Sequence, residues 1–379
     1  MTKGDRPGDQ PVVPTARRGG GAVLAPLIRR VRPALRWWRE YGSFAFRTRW
    51  SLEGATPPRL PGAIALIPVH RDAATLTLCI RSFAPVVEQV VLCLDAPDDP
   101  TRALVTELAA EFANVTVVWS TAPDAVEPVG WAATRNRLIA AAGELFRPLT
   151  HVLMVDADDV LAWDHVDNVL RPLMRGGRTH VRLGICELLG DWRTTARGRT
   201  LVYDECHVYW RASAVDVHFT AQENAHESIH VADRGSKRDV RAGSSRQILF
   251  HGITAKPGDQ LLRRAFMRPW IVAGRPEPLD SFAVRMASET FPLPWPEGQM
   301  PSDYIIFNDQ RRPELRPLAH WERRLPPPVA AVMQAGPRFR MDLAARRRFD
   351  RDPMSDLERR TYDALMAASR AGGKTQHGA

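Results

Sequence analysis

The stretch Val152-Leu153-Met154-Val155-Asp156-Ala157-Asp158-Asp159 decides the fold. Four apolar residues lead directly into a group of carboxylates, a pattern typical of a buried strand that surfaces at its C-terminal end. In open α/β sheets, ligands bind outside the carboxyl ends of the strands. Carboxylates crowded there repel one another unless a cation lies among them, and hard oxygen ligands suit Mg²⁺ or Mn²⁺. The stretch therefore predicts a site for a metal and a nucleotide, and the alternative is an acidic turn after an ordinary strand.

Strands and helices alternate around this stretch. Residues 63–69, 87–94, 115–119 and 152–155 have the short apolar runs of buried strands, and residues 73–84, 101–112 and 131–146 have helical spacing. The alternation predicts an α/β fold in which helices cover both faces of a mostly parallel sheet. Shorter runs predict further strands at 180–186, 201–210 and 247–250, and helices are expected at 256–270, 341–348 and 354–370.

The charge of the chain is concentrated at its N-terminus. The chain has 379 residues, 44% of them hydrophobic, which is enough for one large domain with extensions or for two domains. Residues 1–50 hold eleven Lys or Arg and three Asp or Glu, so this segment carries +8 of the formal net charge of +9. Because the remainder is nearly neutral, the sequence argues against a nucleic-acid-binding protein.

The N-terminal segment also has its own pattern. Residues 1–20 are rich in Gly, Pro and charge and predict a disordered tail, followed by a basic amphipathic helix with tryptophans within residues 21–55. Residues 22–50 could bind an anionic membrane surface, or the helix could dock on its own domain. The absence of a membrane-spanning run and of a signal-peptide core predicts a cytoplasmic protein, with peripheral association at the inner face of the membrane. Four unpaired cysteines predict free thiols in a reducing compartment.

The motifs between Ala63 and His251 follow a recognisable order. The first strand ends in Pro68-Val69-His70, the second ends at Asp95, the third helix contains Arg135-Asn136, and Asp156-Ala157-Asp158 has the D-x-D pattern. In this order and spacing the chain resembles a family 2 glycosyltransferase with the GT-A fold. The resemblance covers about half of the chain. It implies a GT-A-type nucleotide-binding sheet flanked by helices at residues 60–255 and a mostly helical C-terminal extension at residues 256–379.

The resemblance also implies an activity. Such an enzyme transfers a sugar, with inversion, from a nucleotide-diphosphate donor to a hydroxyl acceptor. A UDP-sugar is the favoured donor, Mn²⁺ or Mg²⁺ the cofactor, and a polysaccharide, lipopolysaccharide or glycolipid the acceptor. The cation offsets the charge that the leaving diphosphate gains.

The implied roles of individual residues follow from the motifs. Asp158 and His251 would hold the metal. The His226-Glu227 pair is similar to the subset of the family that includes lipopolysaccharide-core and peptide glucosyltransferases. Glu227 would be the general base, with a pKa raised by partial burial, and Glu223 is an alternative base. Donor contacts would come from Pro68, His70, Asp95, Arg135 and Asp156.

Each assignment has a structural alternative. Arg135 could form only a salt bridge, Glu227 could lie on the surface of a helix, and His251 could be structural. Two other functions compete with glycosyl transfer. A sugar nucleotidylyltransferase needs a glycine-rich loop after the first strand, where His70-Arg71-Asp72-Ala73-Ala74 contains no glycine. A catalytically silent carbohydrate- or membrane-binding module could keep the same fold.

Overall fold

The computed structural model describes residues 56–70, 72–94, 101–119, 128–146, 149–176, 179–188, 194–196, 202–221, 227–234, 243–252, 258–291, 315–317, 329–331, 357, 359–361 and 363. The chain divides into two compact units, Met1–Leu52 and Glu53–Ala379, and all described residues belong to the second. The predicted N-terminal tail and basic helix lie outside the described residues. So do Asp95, Glu223, His226 and the helix expected at 341–348.

The regular elements are twelve strands and six helices among the described residues. The strands are β1 Leu60–Val69, β2 Val87–Leu94, β3 Val115–Trp119, β4 His151–Met154, β5 Asp159–Leu161, β6 His180–Glu187, β7 Thr194–Ala196, β8 Val202–Arg211, β9 Val215–Ala221, β10 Glu227–Asp233, β11 Gly243–His251 and β12 Leu315–Pro317. The helices are α1 Ala73–Phe83, α2 Arg102–Glu111, α3 Pro128–Leu145, α4 Arg171–Arg175, α5 Gly258–Val272 and α6 Leu279–Thr290. A 3-10 turn at Trp163–His165 and a π-helical turn at Val166–Leu170 lead into α4.

Eight of the strands form one sheet in the order β3-β2-β1-β4-β8-β6-β11-β5. The strands β3, β2, β1 and β4 are parallel, and β6 is parallel to β11. Antiparallel pairs join β4 to β8, β8 to β6, and β11 to β5. The predicted fold class is therefore confirmed at the level of a mixed α/β fold with a large, mostly parallel sheet.

Helices pack on both faces of this sheet because the side chains of its strands alternate between the faces. On β1, Ala65 and Ile67 belong to a core with α1 and α2, whereas Ile64 and Leu66 belong to a second core with α3. All four residues are at most 4% exposed. Burial on both faces explains why this strand is a continuous apolar run in the sequence.

The predicted elements of the parallel part agree with the structure. β2 and β3 have the predicted bounds, β1 begins three residues earlier than predicted, and α1, α2 and α3 each lie within three residues of their expected bounds. The sequence analysis missed β5, the two-stranded sheet of β9 and β10, and α6. β9 and β10 pack on the face that α3 covers, through Val217, Phe219 and Val231.

Two smaller findings complete the description. The cysteines are free thiols, as predicted, and Cys79, Cys93 and Cys186 are buried. Within the described part of the chain, no helix is both long and apolar enough to span a membrane.

Candidate functional site

The acidic stretch forms a tight turn between β4 and β5. The backbone N–H of Val155 donates to Leu66 O at 3.2 Å, which extends the pairing of β4 with β1. The N–H of Asp159 then donates to Asp156 O at 3.1 Å, and the N–H of Asp156 donates to Asp159 Oδ2 at 2.6 Å. These bonds hold the carboxylates at the carboxyl end of β4. β1 lies between β2 and β4, so the strand order reverses there, and this is where ligands bind in α/β sheets.

Asp159, His207 and His251 form a buried cluster at this end of the sheet. They come from β5, β8 and β11, and His251 lies directly opposite Asp159 in the β5–β11 pair. His207 Nε2 is 2.9 Å from Asp159 Oδ2, and His251 Nδ1 is 2.9 Å from Asp159 Oδ1. The three donor atoms lie within 4.8 Å of one another, and each residue is buried. This group could hold a metal ion.

The donor set fits a divalent cation. Imidazole nitrogens and carboxylate oxygens are common ligands of divalent transition-metal ions. Burial alone would raise the pKa of Asp159, but the charges and hydrogen bonds of His207 and His251 outweigh burial and hold that pKa below its ordinary value. Burial would likewise lower the pKa of His251, but Asp158 and Asp159 hold it above its ordinary value. A metal ion at this group would compete with protons for the same imidazole and carboxylate atoms.

The structure places Asp158, one of the two predicted metal ligands, beside the cluster. Asp158 is 6% exposed, and its Oδ1 lies 3.4 Å from His251 Nδ1. The backbone N–H of Gly252 donates to Asp158 O, which fixes the turn against the end of β11. His251, the other predicted ligand, belongs to the cluster itself. The sequence analysis assigned no role to Asp159 or His207.

Arg135 joins two of the predicted site residues. Its Nε donates to Glu227 Oε1 at 2.8 Å, and its Nη2 donates to Asp156 Oδ1 at 2.7 Å. The guanidinium is 5.5 Å from the centre of the Phe219 ring, and the residue is 5% exposed. Burial would lower the pKa of Arg135, but Asp156 and Glu227 raise it well above the ordinary value, so the side chain is a permanent buried cation.

Glu227 differs from the sequence-based expectation in two ways. It is the first residue of β10, directly opposite Ala221 of β9, and so the alternative that placed it on a helix surface is wrong. Burial would raise its pKa, as predicted, but the ion pair with Arg135 outweighs burial and the net shift is downward. Cys206 Sγ lies 3.4 Å from its second carboxylate oxygen. Glu227 is therefore ionised at neutral pH and less basic than expected.

Asn136, the neighbour of Arg135 on α3, also holds the β9–β10 pair. Its Nδ2 donates to Phe219 O at 2.8 Å, and its Oδ1 accepts from the Phe219 N–H at 2.8 Å. A side-chain amide that replaces a strand partner in this way fixes β9 on α3. The Arg135-Asn136 dipeptide therefore positions the strands that carry Glu227.

The two parts of the site meet at Asp156. One carboxylate oxygen accepts from Arg135, and the other lies 3.6 Å from His207 Nε2. Pro68 and His70 lie at the carboxyl end of β1, where Pro68 pairs with Cys93 and the His70 N–H donates to Asp72. The structure thus brings Arg135, Asp156 and Glu227 into direct contact and connects them to the cluster of Asp159.

Comparisons with known proteins leave the family open. No protein-family model and no curated protein matches the chain. Among matching solved structures is one described as the crystal structure of a mycobacterial protein, with 15% sequence identity and a TM-score of 0.28. That match covers 41% of this chain and 56% of the other, and it is too distant to bear on fold or function. The fold class rests on the sheet topology.

Proposed function

We propose that this protein is a metal-dependent glycosyltransferase that moves a sugar, with inversion, from a nucleotide-diphosphate donor to a hydroxyl acceptor. The observation that carries the proposal is the Asp159–His207–His251 cluster at the carboxyl end of β4. This cluster is linked through Asp156 and Arg135 to the buried carboxylate of Glu227. A group that can hold a metal beside a strand-order reversal suits a ligand with a diphosphate.

The residues of the cluster have distinct tasks in this proposal. Asp159, His207 and His251 would hold the ion, and Asp158 stands close enough to His251 to join them. A bound divalent ion would offset the negative charge of the departing diphosphate. Two imidazoles beside one carboxylate favour Mn²⁺ over Mg²⁺, since Mg²⁺ prefers oxygen ligands.

The donor-facing residues follow from the same proposal. Asp156 would accept a hydrogen bond from the sugar or ribose while it keeps Arg135 in place. Pro68 and His70 would flank the donor at the end of β1, and Asp95 would contact the nucleobase. The favoured donor is a UDP-sugar, and the favoured acceptor is a polysaccharide, a lipopolysaccharide or a glycolipid. Residues 22–50 would bring the enzyme to an anionic membrane surface at the inner face of the membrane.

Glu227 would take the proton of the acceptor hydroxyl. A general base must be ionised, and the ion pair with Arg135 keeps Glu227 in that state. The same ion pair weakens the basicity of Glu227. This observation favours the second candidate, a catalytically silent carbohydrate- or membrane-binding module in which Arg135 and Glu227 are structural. The two candidates differ in turnover, because only the glycosyltransferase releases a nucleoside diphosphate from a donor.

Thermal unfolding with a panel of nucleoside diphosphates, with and without Mn²⁺, tests the proposal. We expect one nucleotide, UDP first, to raise the unfolding temperature only when Mn²⁺ is present. The Asp159→Asn variant should lose this stabilisation. Asp167→Asn is the control, because Asp167 is exposed and forms an ion pair with Arg171 of the next helical turn. If no nucleotide stabilises the wild-type protein at millimolar concentration, the glycosyltransferase proposal is wrong.

Slow hydrolysis of the donor separates the two candidates. A glycosyltransferase should release the nucleoside diphosphate from the matching donor sugar, and Glu227→Gln should reduce that rate more than it reduces donor binding. A protein that binds the donor with Mn²⁺ and releases no nucleoside diphosphate, with or without an acceptor extract, would be the silent module.

A further inference from the structure

The antiparallel pair of β9 and β10, called the ribbon below, carries two histidines on its outer face. Side chains of an antiparallel pair alternate between its faces. Val217, Phe219 and Val231 are buried on the face that packs with α3. His218 and His230 lie on the other face, directly opposite each other in the strand register. His218 is exposed and His230 is half-buried.

The two imidazoles are already close and parallel. Their ring centres are 4.8 Å apart, and the ring planes differ by 12°. Directly opposite residues of an antiparallel pair have Cβ atoms about 4.5–5.5 Å apart. Both side chains therefore extend from the same face of the ribbon at the same place. A small rotation about their side-chain bonds would bring one nitrogen of each ring towards a common metal position.

Thr220 fixes one ring of this pair. Its Oγ1 lies 2.9 Å from His230 Nε2. When Nε2 carries the proton and donates to Thr220, the lone pair of His230 lies on Nδ1. Metal-binding histidines are oriented in the same way, by a hydrogen bond from the nitrogen that does not bind the metal. In this tautomer, the hydrogen bond to Thr220 orients the His230 ring and leaves Nδ1 available as a ligand.

We propose that His218 and His230 form a second metal site, a cross-strand clip for a divalent transition-metal ion such as Zn²⁺, Cu²⁺ or Ni²⁺. Imidazole nitrogen is a preferred ligand of these ions and a poor ligand of Mg²⁺ and Ca²⁺. Water completes the coordination, because the site is open to solvent. The proposal is independent of the function proposed for the buried cluster.

An ion at this site would stabilise the pairing of β9 with β10. An isolated two-stranded antiparallel pair is marginally stable, and this one is fixed mainly by its packing on α3 and by the Asn136–Phe219 hydrogen bonds. A ligand that binds only the paired strands stabilises the pairing. Because Glu227 begins β10, metal at the clip would steady the strand that carries the buried carboxylate.

Isothermal titration with Zn²⁺ alone tests the clip in a background that lacks the buried site. The background variant is His251→Ala, and Asp159→Asn replaces it if His251→Ala does not fold. We expect one Zn²⁺ per chain with micromolar affinity, and either His218→Gln or His230→Gln should weaken binding by about tenfold or more, since each removes half of a chelate. Thr220→Val should weaken it less, by loss of the orienting bond. Asp233→Asn, at the exposed end of β10, is the control and should bind like the background.

The outcomes are distinct. Zn²⁺ binding that is equally strong in the His218→Gln/His230→Gln double variant would overturn the proposal, as would no binding at millimolar Zn²⁺ in the background variant. Because both histidines lie on the outer face of the ribbon, away from the core, the substitutions should leave the circular dichroism spectrum unchanged. A Cu²⁺-loaded background protein should show nitrogen ligands by electron paramagnetic resonance that the double variant lacks.

Discussion

Removal of the Arg135 guanidinium should destabilise the protein strongly. Arg135→Met keeps an unbranched apolar chain of similar length but leaves two carboxylates without their cation. The side chain of Glu227 is 6% exposed and that of Asp156 is 28% exposed, so most of the effect arises at Glu227. Removal of one partner of a buried ion pair costs about 3–5 kcal/mol, because the remaining charge stays in a medium of low dielectric. We therefore expect a loss of about 3–5 kcal/mol in the free energy of unfolding.

Urea unfolding of a double-mutant cycle measures this interaction. Glu227→Gln keeps the shape of the side chain and removes its charge. The double variant Arg135→Met/Glu227→Gln should be more stable than the sum of the single effects predicts, by about 1–3 kcal/mol. Arg137→Met is the matched control, because Arg137 lies on the same helix, is 41% exposed and is 3.9 Å from its partner Glu144. Exposed pairs of this kind contribute about 0–1 kcal/mol.

Either of two results would refute this reasoning. If Arg135→Met loses no more stability than Arg137→Met, the guanidinium is not a buried cation between two carboxylates. If the single effects are additive, Arg135 and Glu227 do not interact, and the downward shift of the Glu227 pKa has no cause. Either result would also remove the link between Glu227 and the metal-binding cluster.

Three further predictions follow from single sites. In isothermal titration, the wild-type protein should bind Mn²⁺ more tightly than Mg²⁺. The His207→Gln substitution should reduce the affinity for Mn²⁺ at least as much as the affinity for Mg²⁺. Equal affinity of the wild-type protein for both ions would argue against imidazole ligands. Burial lowers the pKa of His180 from 6.5 to about 4, so the contribution of His180 to stability should fall as the pH drops from 6.5 to 4 and should not change further below it. The loss is at most about 3 kcal/mol. His180→Leu should flatten this part of the stability profile, and an unchanged slope would contradict it. Gly62→Ala should lower the unfolding temperature, since Gly62 has φ +74° and a Cβ there would clash with Thr150 Oγ1. Wild-type stability of this variant would show that the backbone of β1 does not have this conformation at Gly62.

The parallel strands could be predicted from the sequence because a strand that is buried on both faces is a run of apolar residues. Residues 63–69 of β1 and residues 90–94 of β2 are continuous apolar runs, and their lengths separate them from helices. β9 also has a recognisable pattern, because Val215, Val217 and Phe219 alternate with polar residues. This alternation was overlooked in the prediction of strands. β5, by contrast, has three residues and exists through its pairing with β11, a contact that no local periodicity records.

The site was harder to predict for the same reason. His251 was expected from its place at a strand end, but its partner Asp159 is 92 residues away in the chain. His207 lies in the middle of a mostly apolar strand, where a histidine has no local pattern that separates a ligand from a packed side chain. Arg135 and Glu227 are also 92 residues apart, and their ion pair reversed the expected direction of the Glu227 pKa. The metal-binding cluster and the Arg135–Glu227 ion pair both depend on contacts between residues far apart in the chain, which local sequence patterns do not record.

Six polar side chains of the site form one chain of contacts in which carboxylates alternate with a guanidinium or an imidazole. In order of contact they are Glu227, Arg135, Asp156, His207, Asp159 and His251. Each carboxylate of this chain of contacts has a guanidinium or an imidazole as a neighbour. Such an arrangement couples its two ends, because a change of charge at one end alters the field that the others feel.

This coupling predicts that Glu227 influences metal binding without touching the metal-binding cluster. Glu227→Gln removes one negative charge and leaves Arg135 with Asp156 as its remaining carboxylate partner. The cluster then lies in a more positive field, so Mn²⁺ should bind more weakly to this variant than to the wild-type protein. Binding free energies are reciprocal, and Mn²⁺ should therefore also lower the pKa of Glu227. Isothermal titration with Glu144→Gln as the control, an exposed glutamate of α3, separates this coupling from a general change in net charge. Equal Mn²⁺ affinity in all three proteins would show that the two ends of the chain are independent.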